Sequence, residues 1–557
     1  MRLITSSLVF VLAPTPASAW SFWSLNGMDG TKDASPADRF DGADVEPRPP
    51  LLDANSWFLT KEEITVSRGG IPRDDLSVYT TGNKISSYTV TNEFFNAVYD
   101  DLTATKAGDR VMIAAWVLTQ VPLKPDVDPN GVTSGIKEVL ADVVGRGGNV
   151  NILNWATIAP GYSDENIKVR DAINSIPPSP INGAKAVFIF DDRYPNPLTS
   201  HHQKNLVIAA NRSTDSNEQP VAYVGGMEFA YDRWDTLFHN SSDAREAAGI
   251  SRMGDGWIDG HIRVHGPAAK DVASSFVTRW NSDYLPCQGI DDTFRGFGNP
   301  KYEHILPLDY ASSNITGSLG NQSVQITRTY SCLYDHYEFA PKGEISLLWA
   351  RIKAIKNAKN FIYIEDQYFI LVPELLDAIM QVMPTIQRLV VITGPQNDFA
   401  GYANFLYENV EPIRSKYPNK IKIYTPKADL EIILHSKLLI IDDVFLSIGS
   451  ANWNRRSMTS DSELNAEVVD GDLVMAPEGF NVGKLPRNFR IRKFQEMTGL
   501  SYDKLNAMTF VGASKQLALA VADGTSILVD NKIEHKVYFF TIIDAIWKGV
   551  DPQDTCK

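Results

Sequence analysis

Two short stretches of similar sequence determine the architecture of this chain: HQKNLVIA at residues 202–209 and HSKLLIID at residues 435–442. Each has Lys two positions after His and then continues as an apolar run of the kind that forms a buried β-strand. Of the nine histidines, only His202 and His435 have Lys at this spacing. Residues i and i+2 of a strand face the same side, so each imidazole is expected to have an ammonium group beside it. The duplication predicts two similar halves.

The sequence upstream of each stretch repeats one order of predicted elements. Three helix–strand pairs precede the motif in each half, at similar spacing. The pairs are residues 92–105 with 111–116, 135–144 with 150–154 and 165–176 with 186–190 in the first half, and 344–356 with 361–366, 373–383 with 389–393 and 403–417 with 420–424 in the second. This alternation predicts an α/β fold, with two pseudo-repeated halves, each a mostly parallel or mixed sheet flanked by helices, packed around one active site.

The rest of the chain divides around these halves. The predicted units are a signal peptide at residues 1–19, an N-terminal wrapping segment at 20–90, the first half at 91–290, a connecting segment at 291–343, the second half at 344–500 and a C-terminal α/β extension at 501–557. The connecting segment shows little periodicity, whereas the extension returns to helix and strand patterns. Both motifs therefore lie within the repeated units.

The N-terminus has the pattern of a secretory signal peptide. Arg2 precedes an apolar run from Leu3 to Leu12, and Ala17-Ser18-Ala19 supplies the small residues expected before a cleavage site. We therefore expect a secreted protein. Secretion makes the Asn-x-Ser/Thr triplets candidate N-glycan sites. They are Asn211, Asn240, Asn314 and Asn321.

The cysteine content is compatible with one disulfide at most. The chain has Cys287, Cys332 and Cys556, and we expect a Cys287–Cys332 bridge with one thiol left over. No apolar run after the signal peptide approaches the ~18–20 residues of a membrane span. The best candidate, residues 537–550, is short and contains charged residues, so it suits a core helix or strand better.

Composition restricts the class of partner. The 557 residues include 53 Lys+Arg and 67 Asp+Glu, a formal net charge of −14, and 43% of the residues are hydrophobic. This is the composition of a large globular protein. No block of basic residues is present to neutralise a phosphate backbone, so no nucleic-acid partner is expected. A small anionic substrate in a local positive pocket remains compatible with this charge.

The residues after each motif point to a site for a phosphoryl group. Each apolar strand is followed by a second strand that ends in small residues, Gly225-Gly226 in the first half and Gly449-Ser450 in the second. Glycine lets a ligand approach the backbone closely, and Ser450 and Asn452 offer polar contacts. Two such hairpins side by side would surround one anion with two lysines and two histidines.

These residues resemble the phospholipase D superfamily, whose motif is His-x-Lys-x4-Asp followed by a Gly-Ser or Gly-Gly segment. The second copy matches fully, with His435, Lys437, Asp442, Gly449, Ser450 and Asn452. The first copy has Ala209 in place of Asp and an extra polar stretch at residues 211–219. YIEDQYF at residues 363–369 is similar to a segment of eukaryotic phospholipases D. The resemblance covers roughly residues 90–500, with no C2, PX or PH module before it.

The resemblance implies a role for each motif residue. His202 would be the nucleophile and His435 the general acid that later acts as base. Each histidine would be oriented by a carboxylate from the opposite half. We expect Glu463 for His202 and Asp235 for His435, with Asp232 as the alternative to Asp235.

The resemblance also implies the groups around the substrate. Lys204, Lys437 and Asn452 would hold the non-bridging phosphate oxygens. The other predicted substrate-binding residues are Ser450, Gly449, Gly225, Gly226, Gln367 and Trp116. Asp442 is expected to support its pair of strands. No metal-site motif occurs, and the chemistry implied needs no cofactor. Calcium is left open as an aid to lipid engagement.

Three functions follow from these residues. The leading one is a secreted phospholipase D that converts a glycerophospholipid such as phosphatidylcholine to phosphatidic acid, at a membrane or micelle surface, through a phosphohistidine and with transphosphatidylation. A secreted exonuclease of the same superfamily would use the same chemistry. The third is a protein that only binds anionic lipid, if Ala209 marks an inactive site. The sequence makes no prediction about oligomeric state.

Overall fold

The computed structural model describes residues 45–157, 161–195, 199–210, 219–250, 256–308, 319–334, 336–396 and 402–536. Several predicted features lie outside these ranges: the signal peptide, the sequons at Asn211 and Asn314, Cys556, and the apolar run at 537–550.

Helices cover the strands over most of the described chain. They are α1 (Ala54–Trp57), α2 (Lys61–Ser67), α3 (Thr91–Thr103), α4 (Ile136–Gly145), α5 (Tyr162–Asn174), α6 (Ser242–Ala247), α7 (Ala268–Trp280), α8 (Ile290–Phe294), α9 (Ser346–Asn357), α10 (Pro373–Val382), α11 (Tyr402–Lys416), α12 (Arg455–Thr459), α13 (Lys484–Thr498), α14 (Tyr502–Asn506) and α15 (Phe510–Ala522). Within the described ranges, none of them combines the length and apolar character of a membrane span.

The strands are mostly short. They are β1 (Thr80–Tyr88), β2 (Arg110–Ala115), β3 (Asn149–Trp155), β4 (Ala186–Asp191), β5 (Asn205–Ala209), β6 (Val221–Gly225), β7 (Gly256–Ile258), β8 (His261–His265), β9 (Gln322–Thr329), β10 (Phe361–Asp366), β11 (Arg388–Thr393), β12 (Ile421–Pro426), β13 (Ile432–Leu434), β14 (Lys437–Ile441), β15 (Phe445–Gly449), β16 (Glu463–Asp470), β17 (Leu473–Met475), β18 (Asn481–Gly483) and β19 (Leu528–Asp530). The predicted helix–strand pairs of both halves are confirmed, with ends that differ by a few residues.

Fifteen of these strands form one mixed sheet in which the two halves are arranged alike. Its order is β19-β12-β11-β10-β14-β15-β16-β9-β1-β8-β6-β5-β2-β3-β4. In the first half β2, β3 and β4 are parallel, and β5 lies antiparallel beside β2. In the second half β10, β11 and β12 are parallel, and β14 lies antiparallel beside β10. The predicted α/β class, with two repeated halves, is confirmed.

The strands are buried on both faces, and their side chains alternate between the faces, so they contribute to three large apolar cores. In β2, Val111 and Ile113 face a core formed with α3, α4 and α5, whereas Met112 and Ala114 face the other side. The second half has an equivalent outer core with α9, α10 and α11. The inner faces of both halves share one core with α7, α13 and α15. The two halves are therefore held together by apolar burial, at roughly 25 cal/mol per Å² of apolar surface.

The segments that flank the halves contribute more than the sequence indicated. The connecting segment contains β9, which pairs antiparallel with β16 of the second half and with β1 of the N-terminal segment. These two strands join the halves into one sheet. Most residues of β9 are polar, yet they are buried. The side chain of Gln325, for example, forms hydrogen bonds with the backbone of Leu59 and of Val78.

The expected Cys287–Cys332 disulfide is wrong. Cys287 is a free, buried thiol, whereas Cys332 is disulfide-bonded. The backbone N–H of Cys287 donates to Asp192 Oδ1 at 2.7 Å, which holds this cysteine beside the end of β4.

Asp442 supports its pair of strands as predicted. Its Oδ1 accepts hydrogen bonds from the backbone N–H groups of Asn360 and Phe361, both at 2.8 Å, and its Oδ2 accepts one from Lys359 at 2.6 Å. The carboxylate thus fixes the turn into β10. In the first half Ala209 cannot do this, and the turn into β2 has its own carboxylate instead: Asp109 Oδ2 accepts from the N–H of Lys106 at 2.7 Å. The first copy therefore retains its strand pair without the motif aspartate.

We predict that Asp442→Ala lowers the free energy of unfolding by about 2–4 kcal/mol, because three backbone donors lose their acceptor. Asp442→Asn retains one acceptor oxygen, and we expect a loss of about 1 kcal/mol. Urea unfolding of the full chain measures both, with Asp377→Ala, at an exposed position of α10, as the control. Equal stability of Asp442→Ala and Asp377→Ala would contradict this role.

Candidate active site

The two histidines lie on segments that are hydrogen-bonded to the opposite half. Ahead of His435, β13 pairs in parallel with β7 of the first half, and the N–H of His435 donates to the carbonyl of Ile258 at 2.8 Å. Ahead of His202, residue His201 forms a parallel bridge with Ser462, and the N–H of His202 donates to the Ser462 carbonyl at 2.9 Å. Each histidine is thus placed by a strand of the other half.

Each of these crossings brings a carboxylate to the histidine. His202 Nδ1 lies 2.9 Å from Glu463 Oε1, so the predicted contact between these residues is present. The Ser450 hydroxyl donates to Glu463 Oε2 at 2.5 Å. His435 Nδ1 lies 2.8 Å from Asp259 Oδ2. Both rings therefore have Nδ1 occupied, which leaves Nε2 as the nitrogen available to a substrate.

The predicted pairing of Asp235 with His435 is wrong. Asp235 lies behind β7, where its Oδ2 accepts from the N–H of Trp257 at 2.6 Å and contacts His239 Nδ1 at 2.5 Å. The alternative, Asp232, is also wrong as a partner of His435, because it accepts a hydrogen bond from the hydroxyl of Tyr162 at 2.9 Å and pairs with a neighbouring guanidinium.

The strand register identifies the true partner of His435. In the first half Gly225 of β6 pairs with His261 of β8, and Asp259 precedes His261 by two residues. In the second half Gly449 of β15 pairs with Asn465 of β16, and Glu463 precedes Asn465 by two residues. Aligning the halves on these glycines equates the two carboxylates.

The lysines of both motifs lie beside their histidines. Lys204 Nζ donates to the carbonyl of His202 at 3.0 Å, and Lys437 Nζ donates to the carbonyl of His435. Both lysines are buried. Burial lowers the pKa of Lys204, and it lowers that of Lys437 to about 8. The two ammonium groups repel each other, which contributes to the shift of Lys437 and indicates that they share one region.

Burial and the nearby cations lower the pKa values of both histidines. Burial, and next Lys204, lower the pKa of His202 well below its usual value. Burial, and next Lys437 and Arg233, do the same for His435. Burial also raises the pKa of Asp259 to about 6 and raises that of Glu463. The site without a bound anion therefore favours neutral imidazoles.

The motif glycines lie where a side chain would collide with neighbouring residues. A Cβ on Gly226 would lie 2.2 Å from the carboxylate of Asp259, and one on Gly225 would lie 2.5 Å from the ring of His261. A Cβ on Gly449 would lie 2.3 Å from the carbonyl of Leu464. The glycines therefore make room for the neighbouring strand and its carboxylate. Their predicted contact with substrate stays a prediction.

The two halves differ at the position where Asn452 is predicted to hold a phosphate oxygen. Asn452 is buried, and its side chain offers a neutral Nδ2 amide donor. The equivalent residue of the first half, three positions after Gly225, is Glu228. Its Oε1 accepts from the N–H groups of Trp116 and Val117 at 2.8 and 3.0 Å, and its Oε2 lies 3.8 Å from Lys204 Nζ. Sequence reasoning missed Glu228, although alignment of the halves identifies it.

Aromatic residues line the His202 side of the site. The Trp116 ring lies at 6.4 Å from the His202 ring, measured between centroids, and stacks on Trp155 at 5.4 Å. Trp116 is half-buried, so it can both pack and contact a substrate. Gln367, its equivalent at the end of β10, is also half-buried.

A buried charge cluster fixes the strand that carries Glu463. Arg279 donates to Asp191 Oδ2 and to Ser462 Oγ, each at 2.5 Å, and is fully buried. Burial opposes ionisation of Asp191, but Arg193 and Arg279 outweigh it and hold its pKa well below the usual value. Ser462 also accepts the N–H of His202 through its carbonyl. Arg279 is therefore a positioning residue for both members of the His202–Glu463 pair.

Comparison with known proteins finds relatives of one family. The family model described as "Phospholipase D" matches residues 180–375, and the one described as "Cardiolipin synthase, PLD-like domain" matches residues 352–477. Phospholipase D A of Dictyostelium discoideum is 26% identical over 377 residues, which cover 54% of this chain and 27% of that protein. Phospholipase D2 of Bos taurus is 25% identical over 394 residues, covering 52% of this chain and 40% of that protein.

Among solved structures, phosphatidylserine synthase of Haemophilus influenzae aligns with a TM-score of 0.42 and 12% identity, covering 69% of this chain and 82% of that one. The curated relatives are longer proteins, and this chain spans less than half of the length of the two described above.

Fold and site together define a duplicated α/β protein with one two-histidine site built from both halves. The chain belongs to the phospholipase D superfamily. Both His-x-Lys motifs of this superfamily lie within the matched residues.

We predict that His202 and His435 both titrate below 6.5 in the free protein, and that Lys437→Met raises the pKa of His435 by removing a neighbouring cation. NMR titration of histidine-labelled full chain measures both values. Lys416→Met, an exposed position at the end of α11, is the charge-matched control. A titration of His435 above 6.5, or an equal response to Lys416→Met, would refute this assignment.

Proposed function

We propose that the protein is a secreted phospholipase D that hydrolyses glycerophospholipids, phosphatidylcholine foremost, to phosphatidic acid and a free head group. The observation that carries the proposal is the pair of His–carboxylate contacts formed between the halves, each with a buried lysine beside it. The relatives named phospholipase D support the substrate class. The signal-peptide pattern at residues 1–19 supports secretion.

The first chemical step uses the two Nε2 atoms. Neutral His202, with Nδ1 held by Glu463, attacks phosphorus through Nε2, forming an N–P bond as the bond from phosphorus to the head-group oxygen breaks. His435 gives its Nε2 proton to the leaving oxygen. The assignment of nucleophile and acid follows the family resemblance.

Substrate binding prepares the acid for this step. The free site lowers the pKa of His435 through burial and nearby cations, yet a general acid must be protonated. A phosphodiester anion between Lys204 and Lys437 opposes these cations and so raises the pKa of His435. Binding of the anion and uptake of one proton are therefore coupled, and Asp259 stabilises the resulting imidazolium.

The second step reverses the first. His435, now neutral, takes a proton from water as the water oxygen attacks phosphorus and the bond to His202 breaks. Phosphatidic acid leaves, and both histidines return to their initial state. An alcohol in place of water gives a phosphatidyl-alcohol by the same route. Lys204, Lys437 and Asn452 stabilise the charge on the non-bridging oxygens in both steps.

Hydrolysis of phosphatidylcholine in the presence of ethanol tests this function. We predict release of choline together with phosphatidic acid and phosphatidylethanol, measured by mass spectrometry. His202→Ala and His435→Ala should each reduce turnover by at least about 10³-fold, because each removes a reacting group. Asn240→Gln, which removes a predicted glycan site on the described surface, serves as the control.

Other products would replace the proposal. Degradation of single-stranded DNA without choline release would identify an exonuclease. Vesicle binding without release of any head group would identify a lipid-binding protein. Substantial turnover by either histidine variant would contradict the two-histidine mechanism.

A second prediction separates the two candidate partners of His435. We predict that Asp259→Asn lowers kcat by roughly 10²–10⁴-fold, because it removes the acceptor that orients the ring and stabilises its protonated form. Asp235→Asn should lower kcat by about tenfold or less, because Asp235 contacts His239 and the backbone of β7. Initial rates with a soluble short-chain phosphatidylcholine, corrected for the folded fraction, decide between them. A larger loss for Asp235→Asn would reverse the assignment.

A further inference from the structure

We propose that residues 284–294, which we call the rim segment, dock onto the surface of a zwitterionic phospholipid bilayer by inserting the side chains of Ile290 and Phe294. This inference rests on the proposed function, because it names the physical state in which the substrate is met. The rim segment includes α8 and the residues that lead into it.

The rim segment exposes large apolar side chains next to one another in sequence. Ile290 is 77% exposed and Phe294 is 85% exposed, and they stand four residues apart on α8, so they share one face of the helix. Tyr284 and Leu285 are also exposed. Single exposed apolar residues are common on protein surfaces, whereas a contiguous group marks a contact surface.

The base of this segment is fixed to the end of β4. The Cys287 N–H donates to Asp192 Oδ1 at 2.7 Å, and Arg193 Nη1 donates to the Tyr284 carbonyl at 3.3 Å. On the other side of α8, Asn299 accepts from the N–H of Phe190 at 2.7 Å and donates to its carbonyl at 2.9 Å. The tip is therefore supported at both ends by the carboxyl end of β4, the edge strand of this parallel set.

That strand end is continuous with the His202 side of the site. Because β2, β3 and β4 are parallel, their carboxyl ends meet at one edge of the sheet. Aromatic rings follow this edge: Trp116 lies beside His202, Trp155 stacks on Trp116, and Tyr194 lies 6.3 Å from Trp155. The N–H of Tyr194 donates to the carbonyl of Asp192 at 3.0 Å, and the carboxylate of Asp192 accepts from the N–H of Cys287. The rim segment thus begins where this aromatic row ends.

Charge selects the kind of bilayer. Asp283, Asp291 and Asp292 accompany the exposed apolar residues, and Arg295 is the cation beside them. Anionic head groups would be repelled by these carboxylates, whereas a zwitterionic surface carries no net charge. Insertion of apolar side chains is then the main attraction, and it is not screened by salt.

The opposite edge of the same half provides a matched control. Ile181 is 64% exposed in the loop before β4, where Asn182 contacts the turn that precedes β3. Leu306 is 79% exposed, and its carbonyl contacts Arg110 at the first residue of β2. Both residues therefore lie at the amino ends of the parallel strands, away from the site.

Sedimentation with phosphatidylcholine vesicles tests docking separately from catalysis. Full-length protein carrying His202→Ala binds without hydrolysing, and we compare Ile290→Ser/Phe294→Ser with Ile181→Ser/Leu306→Ser in that background. We expect the first pair to weaken partitioning by about 100-fold, because insertion of each side chain contributes about tenfold. The control pair should change it by less than about threefold, and raising the salt concentration should have little effect.

Three results would overturn the proposal. The first is that the rim variant binds vesicles as well as its parent. The second is that the control pair loses as much vesicle binding as the rim variant. The third is that the protein binds only anionic vesicles and is released from them by salt. In the active protein, the rim variant should lose hydrolysis of vesicles but keep hydrolysis of monomeric dibutyryl phosphatidylcholine within about twofold. An equal loss on both substrates would also overturn it. If the unmodified protein hydrolyses neither substrate, the proposed function fails, while vesicle binding still decides the docking surface.

Discussion

The site depends on backbone hydrogen bonds that cross between the two halves. His202 donates its N–H to the carbonyl that immediately precedes Glu463, and His435 donates its N–H to the carbonyl that immediately precedes Asp259. Each crossing therefore fixes a histidine and the carboxylate that orients it in a single step. One half alone would have a histidine without its carboxylate and a carboxylate without its histidine. The shared inner core and the β1–β9 junction supply the packing that keeps these crossings formed.

Much of this fold could be predicted because local periodicity and the repeat agree. The strand predicted at residues 361–366 has these bounds in the structure, since its apolar run is buried on both faces. The role of β9 was not predictable in this way. Its polar residues, such as Gln325 and Arg328, indicate exposure but are buried and paired with groups distant in sequence. The periodicity of apolar residues therefore predicts which strand residues are buried only where the buried residues are apolar.

Within the site, the sequence identified the reacting groups better than their partners. His202, Lys204, His435 and Lys437 stand in a repeated pattern, and the structure places each lysine against its histidine. The partner of His435 depends on which strand of the first half pairs with β13, a long-range choice that spacing does not encode. Asp235 is close in space to β7 but faces its backbone, whereas Asp259 follows β7 and faces the histidine. Only the strand register, which places Asp259 and Glu463 at equivalent positions of the two halves, distinguishes these carboxylates.

The two lysines of the site have different charged neighbours, and this difference favours the binding of an anion. Glu228 lies close to Lys204 in the first half, where the second half has the neutral amide of Asn452. Lys437 has no carboxylate within ion-pair distance among the described residues and is the lysine whose pKa falls to about 8. An anion that enters between the lysines therefore gains most from Lys437. It also places a negative charge beside Lys437 and the adjacent His435, which offsets the cost of burying their positive charges. This local attraction acts against the repulsion that a net charge of −14 exerts on a phosphodiester.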